Sequence, residues 1–277
     1  MTTSETQKHQ ARAVQRLSVN DLLLTPAKLR WFALGELWWY RACWRNPVAR
    51  TLMRRERDAE MREMIPILVV LGLVAGAAMF VVLPSSLQEQ SSSVLSSLWP
   101  VWVVQVVPMI CAQAMAMQNS PQIALRLTEA ELQGDFDMKD IVRHSAQAAH
   151  AAVPLIVAHA SVALASACLL VLFTLGFGLL AAFVLAVGDL RTTMDIVFAR
   201  VPPLVWLRAA LSAWVLGGVC TTAAIVYAWP GTQQSHSGLG AHRLGLRAML
   251  ASSLACAAAG MFMNWVAGLL GWNGLVS

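Results

Sequence analysis

The sequence predicts an all-α polytopic membrane protein: an interfacial amphipathic helix near the N-terminus, then five transmembrane helices. Three observations predict it. Apolar residues make up 57% of the 277 residues and charged residues only 13%. Residues 65–83 carry no charge over nineteen positions, long enough to cross a hydrocarbon core of about 30 Å. Twelve of the 20 Lys and Arg precede residue 65, a basic arm set against the first span. The net charge of +5 therefore sits beside a membrane and is not a nucleic-acid signal.

The chain divides into a basic arm, 1–64, and a five-span domain, 65–272. The arm opens with no apolar core of a signal peptide. Thr25-Pro26 reads as a helix start. From Lys28 to Arg45 the chain interleaves Leu29, Trp31, Phe32, Leu34, Leu37, Trp38, Trp39, Tyr40 and Trp44 with Arg30, Glu36, Arg41 and Arg45. Such a stretch lies in the interface with its rings at headgroup depth and its cations on anionic lipid. Its plainer reading is a topology anchor. Asn46-Pro47 ends it, and the charged run 54–63 reads as a solvated helix leading into the membrane.

The remaining spans are 98–117, 151–188, 204–229 and 248–272. At 38 residues, 151–188 is too long for one ordinary span. Gly176 and Gly178 are candidate turn or kink points, and we read one long, tilted or broken helix in preference to a hairpin. Arg126, Lys139, Arg143, Arg243 and Arg247 fall on the same alternating side as the arm. The positive-inside bias then puts the N-terminus in the cytoplasm and the C-terminus outside.

Between the second and third spans, Asn119-Ser120-Pro121 offers a cap and a first-turn proline. An amphipathic coupling helix over 122–133 should follow, ended by Gly134, with Ile123, Leu127 and Ala130 on one face. A short helix there, on the basic side, is what a transporter offers to a cytosolic motor. A simple surface helix is the alternative.

Chemistry is sparse. Cys43, Cys111, Cys168, Cys220 and Cys256 stand singly without CxxC spacing, and read as small apolar side chains, not metal ligands or disulfides. His144, His150 and His159 gather at the start of the third span, with no ligand pair at i, i+3 or i, i+4. His159 lies within a span, where an ionisable group is a functional candidate. Its bland reading is a neutral, hydrogen-bonded packing residue. Outside the arm no acidic residue lies well inside a span, so ion-coupled transport and intramembrane hydrolysis are disfavoured. Gly238-Leu239-Gly240 with Gly245 follows no strand, so it is not a dinucleotide loop, and no Walker-type loop is present. We expect no enzymatic activity and no cofactor in this chain.

Architecture and three short segments resemble the MlaE/YrbE family, permease subunits of MCE-type lipid ABC transporters. The segments are 64–76 with Gly72 and Gly76 at Gly-x-x-x-Gly spacing, Leu125-Arg126-Leu127-Thr128-Glu129, and the run 237–248 with Asn264 beyond it. The chain departs from the family at Val106-Val107-Pro108, where a Leu-Gly-Pro is usual, and at 116–121, which lacks the family's Arg and Glu. The resemblance implies a bacterial inner-membrane permease moving phospholipid or another lipid between membranes. It implies three partners: a cytosolic ABC ATPase holding ATP and Mg, an MCE-domain periplasmic protein, and a second permease copy, identical or a more typical paralogue. It assigns ATPase coupling to Ile123, Arg126, Leu127, Glu129 and Glu131, and helix packing to Gly72 and Gly76. A lipid cavity would be lined by Met79, Phe80, Leu83, Met261 and Trp265. A non-transporting membrane scaffold of a larger envelope complex is the alternative, and an intramembrane enzyme built on His150 and His159 would need an acidic partner.

Overall fold

The computed structural model describes residues 47–87, 91–132, 141–185, 190–199, 201–228 and 238–269. The stretch 28–45, expected to be interfacial, and residues 133–140 and 229–237 lie outside them, as do the side chains of 126–152.

Among the described residues five helices are long and apolar enough to cross a membrane, so the protein is a membrane-embedded helical bundle. The first span is α1 (Pro47–Ala77), which widens into a π-type turn at Ala78–Val82 and closes as α2 (Leu83–Leu87). The second is α3 (Ser91–Val101), a π-type turn at Trp102–Val106, and α4 (Val107–Leu132). Then come α5 (Ile141–Val184), the short α6 (Leu190–Ala199), α7 (Pro203–Ala228) and α8 (Gly238–Leu269). Prolines explain the wide turns. Pro84 and Pro108 each crowd the carbonyl four residues back, on Phe80 and Val104, and both carbonyls fall inside a π-type turn that relieves the clash.

The third span is a single helix through Gly176 and Gly178, so neither glycine turns the chain. Gly178 serves packing. A Cβ there would collide with the ring of Phe80 and stand 3.0 Å from the Gly76 carbonyl. Gly176 has open space around it.

Along the first span every fourth residue from 60 to 80 is buried: Glu60, Met64, Leu68, Gly72, Gly76 and Phe80. Such an i±4 row is a ridge that packs into a neighbouring helix. It lies on α5, with Gly72 against Phe173 and Gly76 against Thr174 and Gly178. With no hydrophobic drive between helices in lipid, this close backbone approach supplies the van der Waals contact that holds them.

Contacts also set directions. Residues 60, 72 and 76 of α1 meet 159, 173 and 178 of α5, so these two helices run parallel. Thr221 meets His159 while Gly217 meets Ala163, so α7 runs against α5. Gln113 meets Ser253 while Pro121 meets Gly245, so α4 runs against α8. The starts of α1, α5 and α8 therefore share one end of the bundle. That end carries Arg50, Arg54, Arg55, Arg57, Arg62, Arg243 and Arg247, and we call it the basic end. Outward faces such as Val70, Val74, Leu172, Leu180 and Phe183 are apolar, as hydrocarbon contact requires.

Candidate functional site: a buried polar cluster at the root of α4

The described part of α4 has no break at Asn119-Ser120-Pro121, so no separate coupling helix begins at 122. Asn119 and Ser120 are not caps; they are 3% and 1% exposed and turned into the bundle. Pro121 lacks an N–H for the Met117 carbonyl, and Met117 faces outward. Gly245 of α8 packs beside Pro121, where a Cβ would make ordinary van der Waals contact, 3.4 Å from Pro121 Cα. Just beyond, Ile123 and Ala124 are buried among Ala224 and Ile225 of α7 and Ala248 of α8, with Leu155 and Ile156 of α5 alongside.

Around this root gather the buried polar side chains of the basic end. His159 of α5 is 1% exposed and Glu60 of α1 only 5%. Helical phase takes Glu60 out of the solvated run: Arg54, Arg55, Arg57, Asp58 and Arg62 face outward, but 60 shares the buried row with Met64 and Leu68. His159 Nε2 lies 3.5 Å from Glu60 Oε1, an ion-pair distance longer than a good hydrogen bond. On the ring's other side, Nδ1 is 3.1 Å from Thr221 Oγ1. Thr221 spends its one proton on the Gly217 carbonyl at 2.9 Å. It can therefore only accept from His159, which fixes the proton on Nδ1 and leaves Nε2 facing the carboxyl. The acidic partner that an intramembrane chemistry needs is thus present, brought from the arm.

The same logic orders the serines. Ser252 Oγ donates to the Ala248 carbonyl, so in the 2.6 Å contact between Ser120 and Ser252 the Ser120 hydroxyl is the donor. Gln118 Nε2 donates to Glu63 Oε2 at 2.6 Å, and Gln113 Nε2 to the Ser253 carbonyl at 3.0 Å. These bonds tie α4 to α1 and α8.

A small cavity of about 10 Å³, taken as the volume open to a water's centre, lies among Asn119, Ser120, Ile123, His159, Cys220 and Thr221. Among the described residues neither amide atom of Asn119 has a hydrogen-bond partner, nor do Glu60 Oε2 and His159 Nε2. The cavity is about the size of one water, and its wall is mostly apolar.

The chain matches no protein-family model and no curated protein.

The residues singled out from the sequence fall in separate places. Ile123 is at the root of α4, while the side chains of Arg126, Leu127, Glu129 and Glu131 lie outside the described residues. Gly72 and Gly76 pack on α5. Phe80 is 1% exposed, its ring edge-on to Trp99 at 5.9 Å, so it belongs to the core and is not free to line a cavity. Met79 and Leu83 are half-buried against the same core. Met261 and Trp265 lie on the outward face of α8, 67% and 62% exposed. One chain does not bring the two groups together, because α1 and α8 make no substantial contact. Among the described residues no three of His, Cys, Asp and Glu gather as a metal site. Near the opposite end Arg208, 7% exposed, donates to Asn264 Oδ1 at 3.2 Å.

Sequence reasoning found His159 and missed Glu60, Asn119, Ser120, Thr221 and Ser252. For Glu60 a signal existed: the four-residue row that runs back from Phe80 through Gly72 and Met64 ends on it.

Proposed function

We propose that this chain is a lipid-transporting permease subunit of an ABC-type transporter in a bacterial inner membrane. Its basic end faces the cytoplasm, where the excess of Lys and Arg belongs. The observation that carries the reading is the continuity of α4. One helix runs from inside a membrane span to Leu132, beyond the apolar stretch, and its root is locked between α5, α7 and α8. A motor that moves residues 126–132 would move the second span directly and pull on the three helices around Ile123. The buried polar cluster at that root supplies what a pivot needs: short-range, directional bonds that can exchange partners without opening a void.

In this reading a separate cytosolic ATPase supplies the hydrolysis and an MCE-domain protein receives the lipid. A second permease copy, identical or paralogous, brings Met261 and Trp265 of one chain toward a shared apolar cavity, with Met79 and Leu83 at its wall. Flexible methionines and flat rings suit variable acyl chains.

The test is purification of the tagged full-length protein in mild detergent, with co-purifying proteins and lipids identified by mass spectrometry. Recovery of an ATPase, an MCE-domain protein and phospholipid is expected. Recovery of envelope proteins without any ATPase would overturn the transport reading in favour of a membrane scaffold.

A further inference from the structure

Next to the polar cluster, three sulfur atoms from three helices converge in the bundle interior. Cys220 of α7 is 2% exposed and Cys256 of α8 is fully buried, and both pack with half-buried Met109 of α4. The Cys256 thiol donates to Met109 Sδ at 3.6 Å. The Cys220 thiol lies in the same buried cluster as Cys256 and donates to the Ser252 carbonyl at 3.7 Å. Gly260, one turn beyond Cys256, makes the room. A Cβ at 260 would stand 3.0 Å from Met109 Cε and 3.4 Å from its sulfur.

The 3.6 Å between the Cys256 and Met109 sulfurs suits a shared metal ion. Bonds of about 2.3 Å to sulfur hold two sulfurs of a trigonal set about 4 Å apart, a few tenths more than the Cys256–Met109 distance. The donor set selects the ion. Zinc wants four ligands in a tetrahedron, and magnesium, calcium and manganese want oxygen. Two thiols and a thioether, buried together and three in number, suit a soft monovalent ion of low coordination number.

We propose that Met109, Cys220 and Cys256 form a buried binding site for copper(I), for which silver(I) is the chemical mimic. On binding, one S–H bond breaks, an S–Cu bond forms, and the proton leaves to solvent. One positive charge replaces another, so the bundle interior gains no net charge, as its low polarity requires. The second thiol and the thioether complete the coordination as neutral donors. An ion held there would tie α4 to α7 and α8 just outward of the polar cluster. The site rests on sulfur geometry alone and is independent of the transport reading.

The test is anaerobic titration of the reduced full-length protein in detergent with copper(I), in competition with bicinchoninate. One equivalent should bind per chain. Cys220→Ser and Cys256→Ser should each abolish it, and Met109→Leu should weaken it at least tenfold. Gly260→Ala should weaken it as well, by displacing Met109 without removing a donor, while Cys168→Ser on the outer surface should leave it unchanged. Copper-edge X-ray absorption on the unaltered protein reads the same claim without any variant: a first shell of sulfur only is expected. Absence of stoichiometric binding, retention of it in the double cysteine variant, or a shell containing nitrogen or oxygen would overturn the proposal.

Discussion

Replacing His159 by Leu keeps the side-chain volume near that of the imidazole and removes two polar contacts. One is the Nδ1 bond to Thr221, whose hydroxyl keeps its own donation to Gly217, so that loss costs about 1 kcal/mol or less. The other is the contact with Glu60, which at 5% exposure would be left buried without its partner. Breaking a buried pair this way typically costs about 3–5 kcal/mol. The 3.5 Å separation puts this pair at the weak end, about 3 kcal/mol. Glu60→Leu should cost less, about 1–2 kcal/mol, because His159 keeps Thr221. The double variant Glu60→Leu/His159→Leu leaves neither of the two polar side chains without its neighbour and should cost only about 1 kcal/mol, far below the sum of the singles. The assay is equilibrium unfolding in mixed micelles by added dodecyl sulfate, followed by tryptophan fluorescence. If the double variant loses as much as the two singles added together, to within about 0.5 kcal/mol, the pair is not coupled and its place at the pivot is wrong.

Other consequences separate core from lipid-facing surface. Gly76→Ala sets a methyl 2.6 Å from the Thr174 carbonyl and 2.7 Å from the Gly178 nitrogen, both backbone, and should cost about 1–3 kcal/mol in the same unfolding assay. Gly176→Ala, with nothing within 4 Å of the new methyl, should instead gain about 0.5–1 kcal/mol from helix propensity. Phe80→Ala should cost about 3–5 kcal/mol because its ring fills the contact with Trp99 and Gly178. Trp265→Ala, on an outward face of the single chain, should leave chain stability within about 0.5 kcal/mol; lipid co-purification is where its loss should register.

The helical membrane character was legible because a long, nearly charge-free run has few other uses, and among the described residues five helices are long and apolar enough to cross a membrane. The glycine spacing of α1 was legible for a related reason, since small residues at i and i+4 mark close approach. The site was legible only in part. Asn119-Ser120-Pro121 satisfies the local rules for a helix start, yet the same side chains can be buried when a neighbouring helix offers partners. Ser252 is such a partner, and it lies over a hundred residues away in the chain. Glu60 was hidden by its neighbours, for a charged run reads as solvated unless its helical phase is followed residue by residue. Its partner on α5 is a tertiary fact that no local pattern states.

The most direct test of the account is where a motor touches the bundle. A photo-crosslinking residue placed at position 129, near the end of α4, should capture an ABC ATPase in membranes. The same residue at 183, at the opposite end of α5, should not. Capture at 129 that strengthens or weakens with added nucleotide is the result this account predicts. No capture at 129, or equal capture at both positions, would contradict it.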